Sequence, residues 1–392
     1  MNSAIHLVVL QPTSQCNLNC QYCYVPNRRD PARMADGVLE AAIVKALRSD
    51  LVRGKVEFLF HAGEPLMAGI PFFRKASQII NDNNLRGIAV AKSIQTNATL
   101  ITDEWCDLFL QEEYRIGVSI DGPPHVHDTN RVNWSGRGTH SSVMRGVHNL
   151  QSHGVPFGAI CVLSRTSLAY PDEIFSFFVD NGFQEIGFNI EEIESANTSS
   201  SMFPADPNEA ARVEGEFRAF MSRLLELWED AGRPIKIREF FDMAVFMLRK
   251  LRNPEARRVP DETAELGIVT VAKNGDMSPY SPEFAGSSSI EYGDFVVGHI
   301  LESEYADILF DSRYTKIRRD VLQSLGLCAA SCAYFDLCGG AFLSNKFSQN
   351  GTLHSTETTT CRLTRQTVAD LLLDRWQEVP ADAPTHVGAV SS

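Results

Sequence analysis

No stretch of the sequence strings together the roughly eighteen apolar residues that a membrane-spanning helix needs. Runs of lysine and arginine are missing too. A formal net charge of −13 and a pI near 5.3 exclude the basic stripe that phosphate backbones require. The N-terminus, MNSAIHLVVLQPTSQ, lacks the basic start and long apolar centre of a secretion signal. Internal repeats and low-complexity blocks are absent. The expectation is a cytoplasmic protein with no nucleic-acid and no membrane partner, whose acidic surface would steer a basic peptide favourably. In a reducing compartment its nine cysteines are thiols, and thiols at short spacing are metal ligands or catalytic groups.

What is present is an alternation of apolar strands and amphipathic helices. The strand candidates are HLVVLQP, VEFLFHA, KSIQTN, RIGVSID, FGAICVLS and EIGFNIEEIE. Helical stripes lie between them, such as Val143, Val147 and Leu150, or Ile174, Phe177 and Phe178 closed by Gly182. Another helix has Thr102 as N-cap, with Asp103 and Glu104 in its first turn. Six such units predict an α/β fold: a partial (β/α)6 barrel around a parallel sheet, with chemistry at the C-terminal strand ends. A helix capped by Asp206–Pro207, a second around Glu239–Leu251 and a charged linker follow. Then come a hairpin turning at Asn274–Gly275 and a cysteine-bearing module. The expected division is a core over 1–232, a connecting helix and linker over 233–265, an auxiliary module over 266–378 and a disordered tail over 379–392.

Cys16, Cys20 and Cys23 stand at C-x3-C-x2-C in the loop after the first strand. Thiolates suit iron–sulfur clusters or zinc. Three thiolates on a four-iron cubane leave one iron open, as a catalytic metal site requires, and S-adenosylmethionine (SAM) can chelate it. A zinc site completed by a distant residue is the alternative. The second group is Cys328, Cys332, Cys338 and Cys361, with Gly339–Gly340 allowing backbone to pass close to a bulky cluster. Four thiolates can ligate one auxiliary 4Fe–4S cluster or a structural zinc. Cys106 and Cys161 read as core residues, and His61, His125, His127 and His299 are too scattered to be ligands.

The cysteine loop, with Tyr22 before its third thiol, resembles the radical SAM superfamily. Ala62–Gly63–Glu64–Pro65 is similar to that family's GGEP motif, whose backbone receives the SAM amino group. The resemblance implies that Asn97, Ser119 and Asp121 lie near SAM, that Arg131 pairs with its carboxylate, and that Leu163 lies near its adenine. The C-terminal module resembles a SPASM/twitch extension, but Tyr280, Ser281 and Glu283 stand where further cysteines would be, implying one auxiliary cluster. Phrases such as VVLQPTSQC, FHAGEPL, GFNIEEIE, SPEFAG and CGGAFLSNK resemble the GRRM-type peptide maturases. That likeness implies a precursor-peptide substrate, an electron donor such as flavodoxin or ferredoxin, and cyclophane formation. In such a reaction a 5′-deoxyadenosyl radical takes a hydrogen from a β-carbon, and the carbon radical adds to an aromatic ring. An electron then passes to the auxiliary cluster and a proton to a base, for which Glu283 and Asp276 are the candidates. Since the first strand begins by residue 6, leader recognition is expected from the barrel, the C-terminal module or a separate protein. Competing readings are thioether cross-linking, sulfatase-type formylglycine formation, epimerisation, and a zinc or iron–sulfur scaffold or sensor without turnover.

Overall fold

The computed structural model describes residues 4–284 and 286–378; the tail expected to be disordered, 379–392, lies outside the described residues. Its strands are β1 (Leu7–Leu10), β2 (Lys55–Phe60), β3 (Ala89–Thr96), β4 (Tyr114–Ser119), β5 (Phe157–Leu163), β6 (Glu185–Ile190), β7 (Lys236–Ile237), β8 (Ile268–Val271), β9 (Asp276–Pro279) and β10 (Gly298–His299). All ten form one sheet in the order β10-β9-β8-β1-β2-β3-β4-β5-β6-β7. The six strands read from sequence pair in parallel and in chain order, each followed by helix that packs back onto the sheet. The fold is therefore the α/β, radical-SAM-type open barrel that the alternation predicts: β10 and β7 end the sheet without meeting.

Both edges of the six-stranded core are extended. Short β7 pairs in parallel with β6, and β8 runs parallel to β1 through Leu7–Ile268 to Leu10–Val271. The hairpin of β8 and β9 turns at Gly275, whose φ of +99° is a glycine conformation. The sheet thus continues without a break across the division expected at residue 266. Every residue of β8 is buried, as a strand covered on both faces must be.

Local signals hold with one exception. Asp206 caps the helix Pro207–Asp230 by accepting from the backbone N–H groups of Asn208 and Glu209 at 2.9 and 3.0 Å. Thr102 occupies the N-cap position of Asp103–Gln111, but its side chain makes no capping hydrogen bond. Cys106 and Cys161 are buried core residues. Among the described residues no helix is long and apolar enough to cross a membrane.

Candidate active site at the C-terminal strand ends

The loop leaving β1 is held mainly by its own backbone. Cys16 N–H donates to Arg28 O at 3.0 Å, Asn19 N–H to Val132 O at 2.7 Å and Gln21 N–H to Asn130 O at 3.0 Å. From the rim, Trp134 Nε1 donates to Cys16 O at 2.8 Å. Gly63 packs so tightly under this loop that a Cβ on it would fall 2.5 Å from Gln15 O. That crowding accounts for a glycine at this position.

Cys16, Cys20 and Cys23 line a cavity of about 570 Å³ together with Gly63, Asn97, Ser119 and Arg131. Among the described residues no three His, Cys, Asp or Glu side chains converge tightly enough to hold a single metal ion, so the thiols border a space rather than a point. Burial pushes the Cys16 thiol well up and the Cys20 thiol to about 11, with Arg131 opposing the shift at Cys20. Burial there penalises the charged thiolate, and a cluster that binds these sulfurs as thiolates supplies the positive charge that offsets the penalty. Three soft donors in one loop beside an open cavity therefore fit a cluster, and Cys16, Cys20 and Cys23 are the residues that would hold it.

Glu64 does not line the cavity. It is fully buried and ties strand ends together: Oε1 accepts from Leu66 N–H at 3.0 Å and from Thr96 Oγ1 at 2.7 Å, and Oε2 accepts from Asn97 N–H at 2.8 Å. Burial lifts its carboxyl to about 7 against those three donors. Ala62 and Pro65 flank it and are likewise buried. Asn97 reaches the loop through Nδ2, 2.9 Å from Asn17 Oδ1 and 3.8 Å from Cys16 Sγ. Gln95 Nε2 donates to Ser119 Oγ at 2.9 Å.

Arg131 lines the cavity, but its Nε stands 3.0 Å from Asp121 Oδ1, and both side chains are buried. Asp121 itself lies behind the wall, where it also accepts from Val162 N–H at 2.9 Å and from the Tyr22 hydroxyl. Leu163 is fully buried and absent from the lining; Ile160 and Val162 face the cavity instead. Successive strand residues point to opposite faces, so the side chains of Ile160 and Val162 share the cavity face and that of Leu163 does not.

The far part of the cavity is built from the end of β6 and the C-terminal module. Glu192, Glu194 and Glu283 line it, as do Phe342, Asn345, Thr360 and Arg365. Burial raises all three carboxyls, Glu192 to about 8, and Glu283 raises both of the others further. Asn345 Nδ2 donates to Glu194 Oε1 at 3.0 Å, and Thr360 Oγ1 to Glu192 Oε2 at 2.8 Å. Asp276 is not in this group. It sits half-buried at the hairpin turn, accepting from Asn274 Nδ2 at 2.6 Å, and of the two base candidates only Glu283 lines the cavity.

Cys328, Cys332, Cys338 and Cys361 lie outside the cavity lining. They are mutual neighbours, since Cys338 and Cys328 raise the Cys332 thiol and Cys338 and Cys332 raise Cys361, after burial, to about 11. Sequence reading missed Lys346, buried with Nζ 3.4 Å from Cys328 Sγ. It also missed His61, which lines the cavity, bonds the Tyr24 hydroxyl at 2.8 Å and is held neutral by burial, to about 4. Neither carries a local signal.

Comparison with known proteins agrees with this geometry. The family model described as the Radical SAM superfamily matches residues 10–178. An uncharacterized protein of Synechocystis sp. is 36% identical over 377 residues, 95% of this chain and 92% of that one. A serine-type anaerobic sulfatase-maturating enzyme of Bacteroides thetaiotaomicron is 26% identical over 364 residues, 88% of this chain and 84% of its own. Among solved structures, native anSMEcpe with bound AdoMet and Cp18Cys peptide superposes with a TM-score of 0.76 at 20% identity, over 94% of this chain and 97% of that one, a likeness of fold. The chain belongs to the radical SAM superfamily and is an enzyme that works with S-adenosylmethionine and a 4Fe–4S cluster.

Proposed function

We propose that this enzyme is a maturase of a ribosomally made, glycine-rich precursor peptide, and that it joins an aromatic ring carbon to a side-chain β-carbon. The observation that carries the reading is a single cavity lined both by the Cys16, Cys20 and Cys23 loop and by the carboxyl of Glu283. Its roughly 570 Å³ falls in the range of specific ligand sites and suits the side chains of a short peptide segment. A structure of the same fold has AdoMet and a peptide bound together, which supports a peptide substrate here.

When bound, SAM and the clusters supply the 5′-deoxyadenosyl radical that removes a hydrogen atom and an acceptor for the electron released as the ring regains aromaticity. In this reading Cys16, Cys20 and Cys23 hold the catalytic cluster. Cys328, Cys332, Cys338 and Cys361 hold one auxiliary cluster, within a module over 266–378. Glu283 takes the ring proton. Burial raises its carboxyl, and Ser281 donates to it. A base raised above the ordinary carboxylate range is better matched to neutral pH. The strand-end ties of Glu64, Gln95 and Asp121 hold the cavity wall in place. A flavodoxin or ferredoxin delivers the electron that begins each cycle.

A second reading, formylglycine formation on a protein, is favoured by the identity to the Bacteroides thetaiotaomicron enzyme. Anaerobic co-expression with the short peptide encoded beside the gene, followed by intact and tandem mass spectra, tests both. Loss of two hydrogens with fragmentation blocked across an aromatic-containing tripeptide is the cross-link result. A hydrazide-reactive carbonyl at a serine or cysteine is the formylglycine result. An unchanged peptide mass while 5′-deoxyadenosine accumulates overturns cross-linking of that peptide. Cys16→Ala should abolish every product, 5′-deoxyadenosine included.

A further inference from the structure

Two arginines reach the cavity from separate segments. Arg258 comes from the chain between the helix Arg238–Arg252 and β8, and Arg365 from the helical turn Arg362–Thr367 after Cys361. Each keeps one guanidinium nitrogen buried with no hydrogen-bond partner among the described residues, Nη1 in Arg258 and Nε in Arg365. An orphaned buried donor is costly, and a guanidinium, which only donates, is satisfied by an anion or a carbonyl.

Among the described residues no group makes the missing hydrogen bonds, although Glu262 lines the same cavity. Burial first, and then Arg258, lowers the basicity of Arg365; Cys338, Glu262 and Glu239 act against this from nearby. Glu239 is already engaged, Oε1 by Arg238 Nε at 2.9 Å and Oε2 by Phe188 N–H at 2.9 Å. The backbone of Arg258 and the guanidinium of Arg365 are held in place. Arg258 N–H donates to Asp336 O at 2.9 Å, and a Cβ on Gly339, whose φ is +70°, would fall 2.4 Å from Arg258 O. The Arg365 guanidinium lies 4.7 Å from the Phe342 ring centroid. Donors held before binding lose little freedom when a ligand arrives.

We infer that Arg258 and Arg365 form a carboxylate-binding subsite that grips the substrate peptide and fixes which way it lies in the cavity. The ligand is an Asp or Glu side chain of the peptide or its C-terminal carboxylate, since a planar fork of donors matches a carboxylate. The carboxylate of SAM is a poorer match. Arg365 sits beside Cys338, in the second cysteine group, whereas Arg131 sits beside Cys20 of the first. This inference rests on the peptide-maturase reading.

The test is a binding cycle on the anaerobic, cluster-loaded holoenzyme with SAM present, using a fluorescein-labelled synthetic copy of the peptide encoded beside the gene. Arg365→Gln should weaken peptide binding at least about tenfold, as expected for losing a hydrogen bond to a charged partner. Wild type should lose a similar factor when the matching peptide carboxylate is neutralised, with no further loss when both changes are combined. Asp→Asn or Glu→Gln substitutions and C-terminal amidation, made separately, tell the two sources apart. Arg365→Lys, which keeps the charge, should fall between, and serves if the Gln variant does not fold. Unchanged affinity in Arg365→Gln and Arg258→Gln overturns the inference while leaving the maturase reading intact. So does additive loss in the cycle, or a loss of SAM affinity or iron content in place of peptide affinity. A wild-type enzyme that fails to bind the peptide overturns the maturase reading and this inference with it.

Discussion

Arg131 and Asp121 form a buried ion pair at the cavity wall, with Nε 3.0 Å from Oδ1. The carboxylate also receives Val162 N–H and the Tyr22 hydroxyl, and the Arg131 guanidinium lies 5.4 Å from the Tyr22 ring centroid. One carboxylate thus joins the cysteine loop, β5 and the segment that carries Arg131. Asp121→Asn leaves the guanidinium buried without a counter-charge, which costs about 3–5 kcal/mol. Chemical denaturation of the metal-free protein at neutral pH should show that loss; a change under about 1 kcal/mol would mean water compensates the arginine.

Glu283→Gln should separate radical generation from product formation. Formation of 5′-deoxyadenosine continues, because Glu283 is proposed to act only after the C–C bond forms. Cross-linked peptide should fall by about a hundredfold or more, the range for a lost general base. In wild type the raised carboxyl of Glu283 places the acid limb of the product profile above the ordinary carboxylate range, and that limb should vanish in the variant. Equal loss of both products would sink the assignment.

Stability should fall as pH rises. Burial raises the Glu192 carboxyl from 4.5 to about 8 in the folded chain, and Glu194 and Glu283 shift the same way. A folded state that holds protons more tightly than the unfolded chain is favoured in full below the unfolded value, and loses that advantage as pH climbs through the folded one. The melting temperature of metal-free protein should therefore drop between about pH 5 and about pH 8. Glu192→Gln should flatten that slope by fixing the group in its neutral shape. A slope identical to wild type would place the titration elsewhere.

The chain wrote some of this plainly and some not at all. Six strands, their order and the loop that carries Cys16, Cys20 and Cys23 follow from local periodicity and short spacing, and they appear as read. The pairing of β8 with β1 does not, because it joins residues far apart in sequence and nothing in IVTV says which edge it will find. Which face of β5 meets the cavity is legible only from the fold: Leu163 is buried, while Val162, one step back along the strand, lines it. Asp276 and Glu283 are close in sequence and look equivalent as bases, yet only Glu283, on the helical turn Pro282–Phe284, lines the cavity, while Asp276 stays at the hairpin turn bonded to Asn274. Arg258 and Arg365 carry no local mark, since only the fold brings a linker and a helix to one cavity.

Trp134 offers a test of the cysteine loop that does not touch a cysteine. Its Nε1 donates to Cys16 O at 2.8 Å, while the guanidinium groups of Arg29 and Arg28 lie 4.3 and 5.5 Å from its ring centroid. The bond holds the backbone turn that presents the Cys16 thiol, and the arginines hold the indole over it. Trp134→Phe keeps a ring for the arginines to cover but deletes the donor. At this exposed position water can replace the bond, so the fold should lose only about 1 kcal/mol. Because that loss falls on the conformation that presents Cys16, iron should leave the first site roughly fivefold faster when a chelator is added under anaerobic conditions. Iron release at the wild-type rate, in a variant whose melting temperature is unchanged, would show that the loop is held by its own backbone bonds, and that Trp134 merely covers it.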